Sequence, residues 1–414
     1  MARLHVPRAW WFSAALYASS FFYVLFQGGK TSLMLFMILN ALALYLMLGR
    51  WSGIGGVLGL RYTDAGEGSA TTLTAGMRLQ VKLRMVIPGF WPLPYVIVRE
   101  KLVRSSGGEA QLYEMSFVPD YRRRGEVHFE TAPLRRGRYQ FQNTDCSTRD
   151  IFGLFEHRGS FSQPMNIQVL PRTVPLKDWR LFRRSQRGVF QHTFTSLWAR
   201  ETTQIDGVRE YIHGDRLSRI HWNATAKTGQ WKSKEFEREA LPRVLFVLDR
   251  NSSSYSAPEQ FELAVSVAAS LLELTIAKRM PIGFVSSGAV SRWFGEGRTP
   301  VTRDEVLQHL VDVEADGKQS LGDVLAQVSE RFEPGIHVVI VGSSKDDQTV
   351  AAMKALESRR MIPSIIHISD KHMSIDESAK LQQWQALCQS KQWEFSSVSQ
   401  LDHLPQALGG GLSA

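Results

Sequence analysis

Arg243-Val-Leu-Phe-Val-Leu-Asp249 is the stretch on which the fold turns. A short apolar run closed by an acid reads as a strand buried on both faces. The pattern repeats downstream. Residues 258–278 carry helical apolar spacing, and Pro281-Ile-Gly-Phe-Val285 and Val290-Ser-Arg-Trp-Phe294 read as strands. Helices are predicted over 304–313 and 321–332, a buried strand over 336–341, a helix over 347–360 and a strand over 361–368. A last helix over 375–389 and a last strand over 393–398 complete the alternation. Apolar strands alternating with helices predict a doubly wound α/β domain over 242–400, with a largely parallel sheet. Gly409-Gly-Gly411 predicts a flexible tail over 401–414.

Upstream, over 56–176, the pattern changes to alternation. Leu79-Gln-Val-Lys-Leu-Arg-Met-Val-Ile87 has period two, as do Tyr95-Val-Ile-Val98, Tyr113-Glu-Met-Ser-Phe-Val118 and Val127-His-Phe-Glu130. Pro and Gly punctuate these segments, which predicts an all-β, Ig-like sandwich. In Arg135-Arg-Gly-Arg-Tyr139 and Asp150-Ile-Phe-Gly-Leu-Phe155, Gly137 and Gly153 are assigned to turns and Tyr139, Phe152 and Phe155 to the core. Arg122-Arg-Arg124 reads as a solvated or membrane-facing loop.

Further upstream, residues 1–52 hold two uncharged apolar runs, about 10–26 and 31–48, separated by Gln27-Gly-Gly-Lys30. Each is near the lower limit of about 17 residues for spanning a bilayer core. Two glycines suit a tight turn, so a transmembrane helical hairpin is predicted. Trp10, Trp11, Tyr23 and Trp51 sit near the run ends, where aromatic rings favour the interface. Arg3, Arg8, Arg50 and Arg61 flank the pair and only Lys30 lies in the turn, which places both termini and the soluble domains in the cytoplasm of a bacterial inner membrane. A second apolar run and the lack of a small-x-small site argue against a cleaved leader.

Net charge is +9, divided as +14 over residues 1–240 and −5 over 241–414. A basic half beside a membrane suits an anionic leaflet. Asp178-Trp-Arg-Leu-Phe-Arg-Arg-Ser-Gln-Arg187 mixes aromatic and basic residues, but no nucleic-acid fold signature accompanies it, so no nucleic-acid partner is expected. Cys146 and Cys388 lie far apart and form no metal or disulfide spacing.

In an open α/β sheet, ligands bind beyond the carboxyl ends of the strands. Asp249 stands at such an end and opens Asp249-Arg-Asn-Ser-Ser-Ser254. Oxygens at alternate positions suit a hard cation such as Mg2+, and Asp249, Asn251 and Ser253 are the candidate ligands. This resembles the von Willebrand factor A domain, a Rossmann-like fold whose metal site has the form DxSxS, then Thr, then Asp. Asn251 stands where the resemblance implies the first Ser, and Ser320 stands in for the Thr. Gly342-Ser-Ser344 replaces the later Asp, so the site is degenerate.

Residues 177–241 link the two domains and hold the most distinctive stretch: Val208-Arg-Glu-Tyr-Ile-His-Gly-Asp-Arg-Leu-Ser-Arg-Ile-His-Trp-Asn-Ala-Thr-Ala-Lys-Thr-Gly-Gln230, then Lys234-Glu-Phe-Glu-Arg-Glu239. It is similar to the signature of the bacterial domain of unknown function 58 (DUF58) family. The matching positions are Arg209, Glu210, Tyr211, Gly214, Asp215, Arg219, Ile220, His221, Trp222, Lys227, Gly229, Glu235 and Phe236. The resemblance implies membrane attachment and a MoxR-type AAA ATPase, with other von Willebrand-domain proteins, as partners. It implies no reaction. Tyr211, Ile220 and Trp222 are expected to be buried between domains, and Arg209, Glu210, Asp215, Arg216, Arg219 and Glu235 to form ion pairs fixing the domain angle.

His213, His221 and Asp215 invite a hydrolase reading, with His221 and Asp215 as the working pair. No nucleophile elbow, HExxH or Walker A loop supports it. The sequence therefore predicts a membrane-anchored, non-enzymatic interaction or assembly factor, with a Mg-dependent ligand-binding module as the alternative.

Overall fold

The computed structural model describes residues 8–51, 53–63, 66–67, 71–151, 153, 156–180, 200–213, 215–239, 243–295, 301–344, 346–370 and 375–409. Packing divides the chain into two compact units, Met1–Leu170 and Pro171–Ala414. Arg3, Phe152, Phe155 and most of 178–187 lie outside the described residues, as does the end of the chain from 410.

The first unit opens with two apolar helices, α1 (Arg8–Gln27) and α2 (Lys30–Trp51). Gly28 and Gly29 take positive φ values of 59° and 97° to turn the chain between them, a conformation that costs glycine nothing sterically. The helices pair through the Tyr17 hydroxyl, which donates to Asn40 Oδ1 at 2.7 Å, and through Tyr17 and Phe21 rings on Phe36. Lys30–Leu48 is long and apolar enough to cross a membrane and only 6% of it is buried. Pro258–Ala277 passes the same length and hydropathy test but is 67% buried, as befits a core helix.

Eleven strands follow: β1 (Leu58–Thr63), β2 (Gly66–Glu67), β3 (Thr71–Thr74), β4 (Gln80–Val86), β5 (Val96–Arg104), β6 (Ala110–Phe117), β7 (Arg124–Glu130), β8 (Gly137–Phe141), β9 (Thr144–Arg149), β10 (Glu156–Phe161) and β11 (Met165–Leu170). One sheet has the order β2-β1-β4-β7; the other runs β10-β9-β5-β8-β11-β3, with β6 on β5. The period-two segments behave as their alternation predicts: Val81, Leu83 and Met85 point inward from β4, while the residues between them face water. Their side chains share one core with Val98, Leu102, Phe141 and Ile167 of the second sheet. Burying each such aliphatic side chain contributes about 1.5–3 kcal/mol. Tyr139 is in this core, its hydroxyl donating to the Arg135 carbonyl at 3.0 Å, and Gly137 starts β8 at a φ of 144°. Sealed in the same unit, Arg61 donates to both Glu100 oxygens at 2.8 and 3.1 Å and stacks on the Phe141 ring, while Thr144 donates to Glu100 at 2.5 Å.

The sandwich expected to reach residue 176 ends at Leu170. The next ten residues belong to the second unit, because Trp179 is fully buried there with its indole N–H on Glu394 (3.1 Å), and the Val174 amide donates to Ser270.

The first strands of the second unit form a two-stranded hairpin, β12 (Arg200–Glu210) and β13 (Lys232–Glu239), whose tip carries α3 (Trp222–Thr228). Then come β14 (Val244–Asp249), α4 (Pro258–Ala277), β15 (Ile282–Ser287), β16 (Arg292–Phe294), α5 (Arg303–Asp312), α6 (Leu321–Arg331), β17 (His337–Gly342), α7 (Asp347–Ser358), β18 (Ile362–Ile368), α8 (Ile375–Ser390), β19 (Glu394–Val398) and α9 (Leu404–Ala407). The sheet order is β16-β15-β14-β17-β18-β19, parallel except for β16. β14 is buried on both faces, as its apolar run requires: Val244, Phe246 and Leu248 join one core, Leu245 and Val247 the other. The chain leaves β14 toward β15 on one side and returns to β17 on the other, so the strand order switches at β14. The tail expected over 401–414 is folded as far as Gly409. Leu401, Leu404 and Leu408, spaced three and four apart, bury themselves against the sheet, and Gly-rich composition did not reveal that apolar stripe.

Candidate functional site

The switch point ends in Asp249, which is fully buried. Its Oδ1 accepts from the Asn251 amide at 2.9 Å, and its Oδ2 has no hydrogen-bond partner. Burial pushes the carboxyl up to about 6, and the charge of Asp346 adds to that rise. Gly342, on the adjoining β17, makes room for this side chain, since a Cβ there would lie 2.7 Å from Asp249 Cβ. Tyr255 closes the loop from below, its hydroxyl donating to the Asp249 carbonyl at 2.5 Å.

Asn251 Oδ1 accepts from both the amide (3.0 Å) and the hydroxyl (2.8 Å) of Ser253. Its Nδ2 donates to the Gln319 carbonyl at 3.2 Å, which brings the loop beside Ser320. Ser320 caps α6, accepting from the Asp323 amide at 3.2 Å and donating to Asp323 Oδ2 at 2.7 Å. Asp249, Asn251, Ser253 and Ser320 thus gather at one end of the sheet, yet only Asp249 Oδ2 is uncommitted. A cation at this point would have to draw Asn251 and the serines away from their present bonds. Among the described residues, no three His, Cys, Asp or Glu side chains converge to hold a metal.

Sequence reasoning passed over Arg250. Its buried guanidinium donates to the Glu314 carbonyl (2.9 Å), Ser286 Oγ (3.3 Å) and Asp316 Oδ1 (2.6 Å), pinning the loop before α6 and the end of β15 to the end of β14. A second charged residue directly after Asp249, at the end of an otherwise apolar strand, was the available signal.

The hairpin tip organises the distinctive stretch. Arg209 Nη2 donates to Asp215 Oδ1 at 2.7 Å and the Ile212 amide donates to Asp215 Oδ2 at 3.2 Å. That pairing holds the Asp215 carboxyl below the usual carboxylate range. Lys232 pairs with Glu210 at 3.2 Å. The Tyr211 ring packs on Trp231 at 5.5 Å, and Ile220 is the buried apolar residue of the tip. His221 is the N-cap of α3: its Nδ1 accepts from the Ala224 amide at 3.1 Å. Gly229 ends α3 in the left-handed region, the usual C-terminal use of glycine, and Thr225 Oγ1 accepts from the Lys232 amide at 3.0 Å. His221 and Asp215 are therefore both engaged in holding the hairpin. Gly214 lies outside the described residues, and Glu235 and Phe236 are placed only as strand residues opposite Gly207 and Ile205.

Trp222 corrects the expectation of burial. It is 65% exposed, because a two-stranded hairpin with one short helix has too little depth to cover it. Ile212, Leu217 and Trp231 are exposed on the same tip, together with Arg216 and Lys227, and Arg219 is half-buried. Of the residues expected to form ion pairs, Arg209 pairs with Asp215, and Glu210 pairs with Lys232, both within the hairpin.

Residues 207–375 match the family model described as Protein of unknown function DUF58. The match begins in β12, takes in the whole hairpin tip and Asp249, and ends at the start of α8. The chain is 26% identical over 342 residues to the Uncharacterized protein YeaD of Bacillus subtilis (strain 168), covering 80% of this chain and 82% of that one. Among solved structures, proximal thread matrix protein 1 from the mussel byssus is similar over 41% of this chain and under half (47%) of its own, with 14% identity and a TM-score of 0.30. A superoxide reductase from Ignicoccus hospitalis is similar over 27% of this chain and 82% of its own, with 11% identity and a TM-score of 0.18. Both likenesses are too slight to carry a fold or a function.

Proposed function

We propose that this chain is a membrane-anchored, non-enzymatic interaction or assembly factor that works with a MoxR-type AAA ATPase. The exposed tip of the hairpin carries the reading. Arg209, Asp215, His221 and Thr225 are engaged in holding the tip, whereas Trp222, Ile212 and Leu217 present apolar surface to solvent beside the exposed Arg216 and Lys227. Exposed apolar clusters of this kind mark interaction sites, and Trp is the residue type most often dominant in them. Anchoring is supported by the outward apolar surface of α1 and α2, where Phe22, Leu25, Met34 and Met37 are all exposed. Basic residues at both ends of the pair and a single Lys in the turn favour cytoplasmic termini at a bacterial inner membrane. In this reading the first unit's sheets are an Ig-like sandwich and the second unit's sheet a von Willebrand factor A-like domain.

The test is direct binding of the purified MoxR-type ATPase to the full chain in nanodiscs. Trp222→Ala is expected to weaken binding at least tenfold without lowering Tm, since a buried Trp hot spot is worth about 2 kcal/mol or more. Absence of ATPase binding in every nucleotide state would overturn the proposal.

The orphan Oδ2 of Asp249 favours one second reading, a Mg-dependent module that recognises an acidic side chain through a completed coordination shell. Millimolar Mg2+ then raises Tm in the wild type and not in Asp249→Ala. No shift in either protein removes the metal.

A further inference from the structure

We infer that the end of the β unit nearest α2 is a lipid-contacting face that rests on the headgroups of an anionic bilayer. This rests on the membrane reading of α1 and α2. Strand register places one set of strand ends together here: Leu58 of β1 lies opposite Val86 of β4, Val86 opposite Arg124 of β7, Val96 of β5 opposite Phe117 of β6, and Arg149 of β9 opposite Glu156 of β10. Leu58, Val86, Phe90, Val118, Tyr121 and Ile151 are all exposed at this end. At the opposite end, the described residues include only the exposed apolar side chains of Met77 and Leu112. Such one-sided exposure of large apolar groups is uncommon on a face meant for water.

The depth of the face is fixed by contact with α2. The Trp91 ring meets the Tyr45 ring edge-on at 5.4 Å. Tyr45 precedes the end of α2 at Trp51 by about 9 Å of helix rise. The loop carrying Phe90 and Trp91 therefore reaches back alongside the last turns of the apolar helix, the level at which aromatic rings settle in a bilayer. Arg123 holds the arrangement: its buried guanidinium donates to the Gly53 carbonyl just past α2 at 2.8 Å, and its own carbonyl accepts from the Ile87 amide at 3.0 Å. The flanking Arg122 lies over the Tyr121 ring at 5.2 Å, an aromatic–cation pair suited to the zone of lipid phosphates. Arg149 lines a cleft with Tyr45, Trp91 and His157 at the same level. Asp120 is exposed, but its Oδ1 accepts from the Arg122 and Arg124 amides, which ties this acid to the loop backbone, while the Arg122 and Arg124 side chains stay exposed.

The test places the full chain in nanodiscs with and without phosphatidylglycerol and reads quenching of a cysteine-linked fluorophore by lipids brominated near the headgroup, or brominated at mid-chain for the probe at 37. Cys146 and Cys388 are buried, so added cysteines take the label. Phe90→Cys and Ile151→Cys probe the face, Met77→Cys the opposite end, and Met37→Cys the middle of α2. The expected result is quenching at 90 and 151 at least twofold above that at 77, with the gap narrowing when phosphatidylglycerol is left out. Quenching at 37 with 90 and 151 no different from 77 overturns the lipid face and leaves the anchor standing; a protein or a second copy would then be its cover. No quenching at 37 removes the anchor and the face together.

Discussion

Asp249 combines complete burial, one bonded oxygen and one orphan, which is an expensive way to keep a carboxylate. Its carboxyl titrates at about 6 in the folded chain, above the usual carboxylate value, so the folded state holds the extra proton between the two. Stability is therefore highest at the acid end of that window and falls as pH rises through 6. Asp249→Asn is predicted to raise Tm at pH 8, by up to about 3 kcal/mol of stability, and to change little near pH 4. Equal effects at both pH values would contradict the burial argument. Glu100 presents the opposite case. Removing it leaves Arg61 charged and sealed, so Glu100→Ala is expected to cost about 3–5 kcal/mol in urea unfolding. A loss under 1 kcal/mol would mean that water reaches Arg61. Burial also pushes the thiols of Cys146 and Cys388 up to about 12 and about 11, so neither is expected to react with Ellman's reagent until the chain is denatured.

At the scale of elements, hydropathy reads strands whose inward face is apolar and misses those whose inward face is small and polar. β14 and β17 carry apolar runs buried on both sides, and the sequence marks them plainly, while β18 is marked by four isoleucines despite the buried Ser364 and His367. β9 turns Thr144, Cys146 and Thr148 inward, so nothing in Thr-Asp-Cys-Ser-Thr-Arg alternates by hydropathy. The tip of the β12–β13 hairpin was legible as distinctive but not as a structure, because a histidine is an unusual N-cap. His221→Ala removes the acceptor for the Ala224 amide and is expected to loosen α3 by about 1 kcal/mol, read as roughly fivefold faster amide exchange across Trp222–Thr228. Unchanged exchange would assign the cap to the backbone alone. Gly342→Ala tests the neighbouring contact, since the added Cβ would collide with Asp249 and lower Tm.

For the whole molecule, composition carried the division of labour and geometry carried the sites. The basic half takes in the apolar helices, the β unit and the hairpin, and the acidic half holds the six-stranded sheet. Asp249 was legible because the strand-end rule depends only on topology. Trp222 was misjudged because sequence shows that a residue is apolar, not whether its element is thick enough to cover it. The central claim is that the exposed tip binds an AAA ATPase at the membrane. Its most direct test is affinity purification of the tagged chain from its own cells in mild detergent, followed by mass spectrometry, on wild type, Trp222→Ala and Asp249→Ala in parallel. The account predicts a MoxR-type ATPase recovered with wild type and lost with Trp222→Ala. Recovery of no ATPase with wild type, from cells shown to express one, would contradict it.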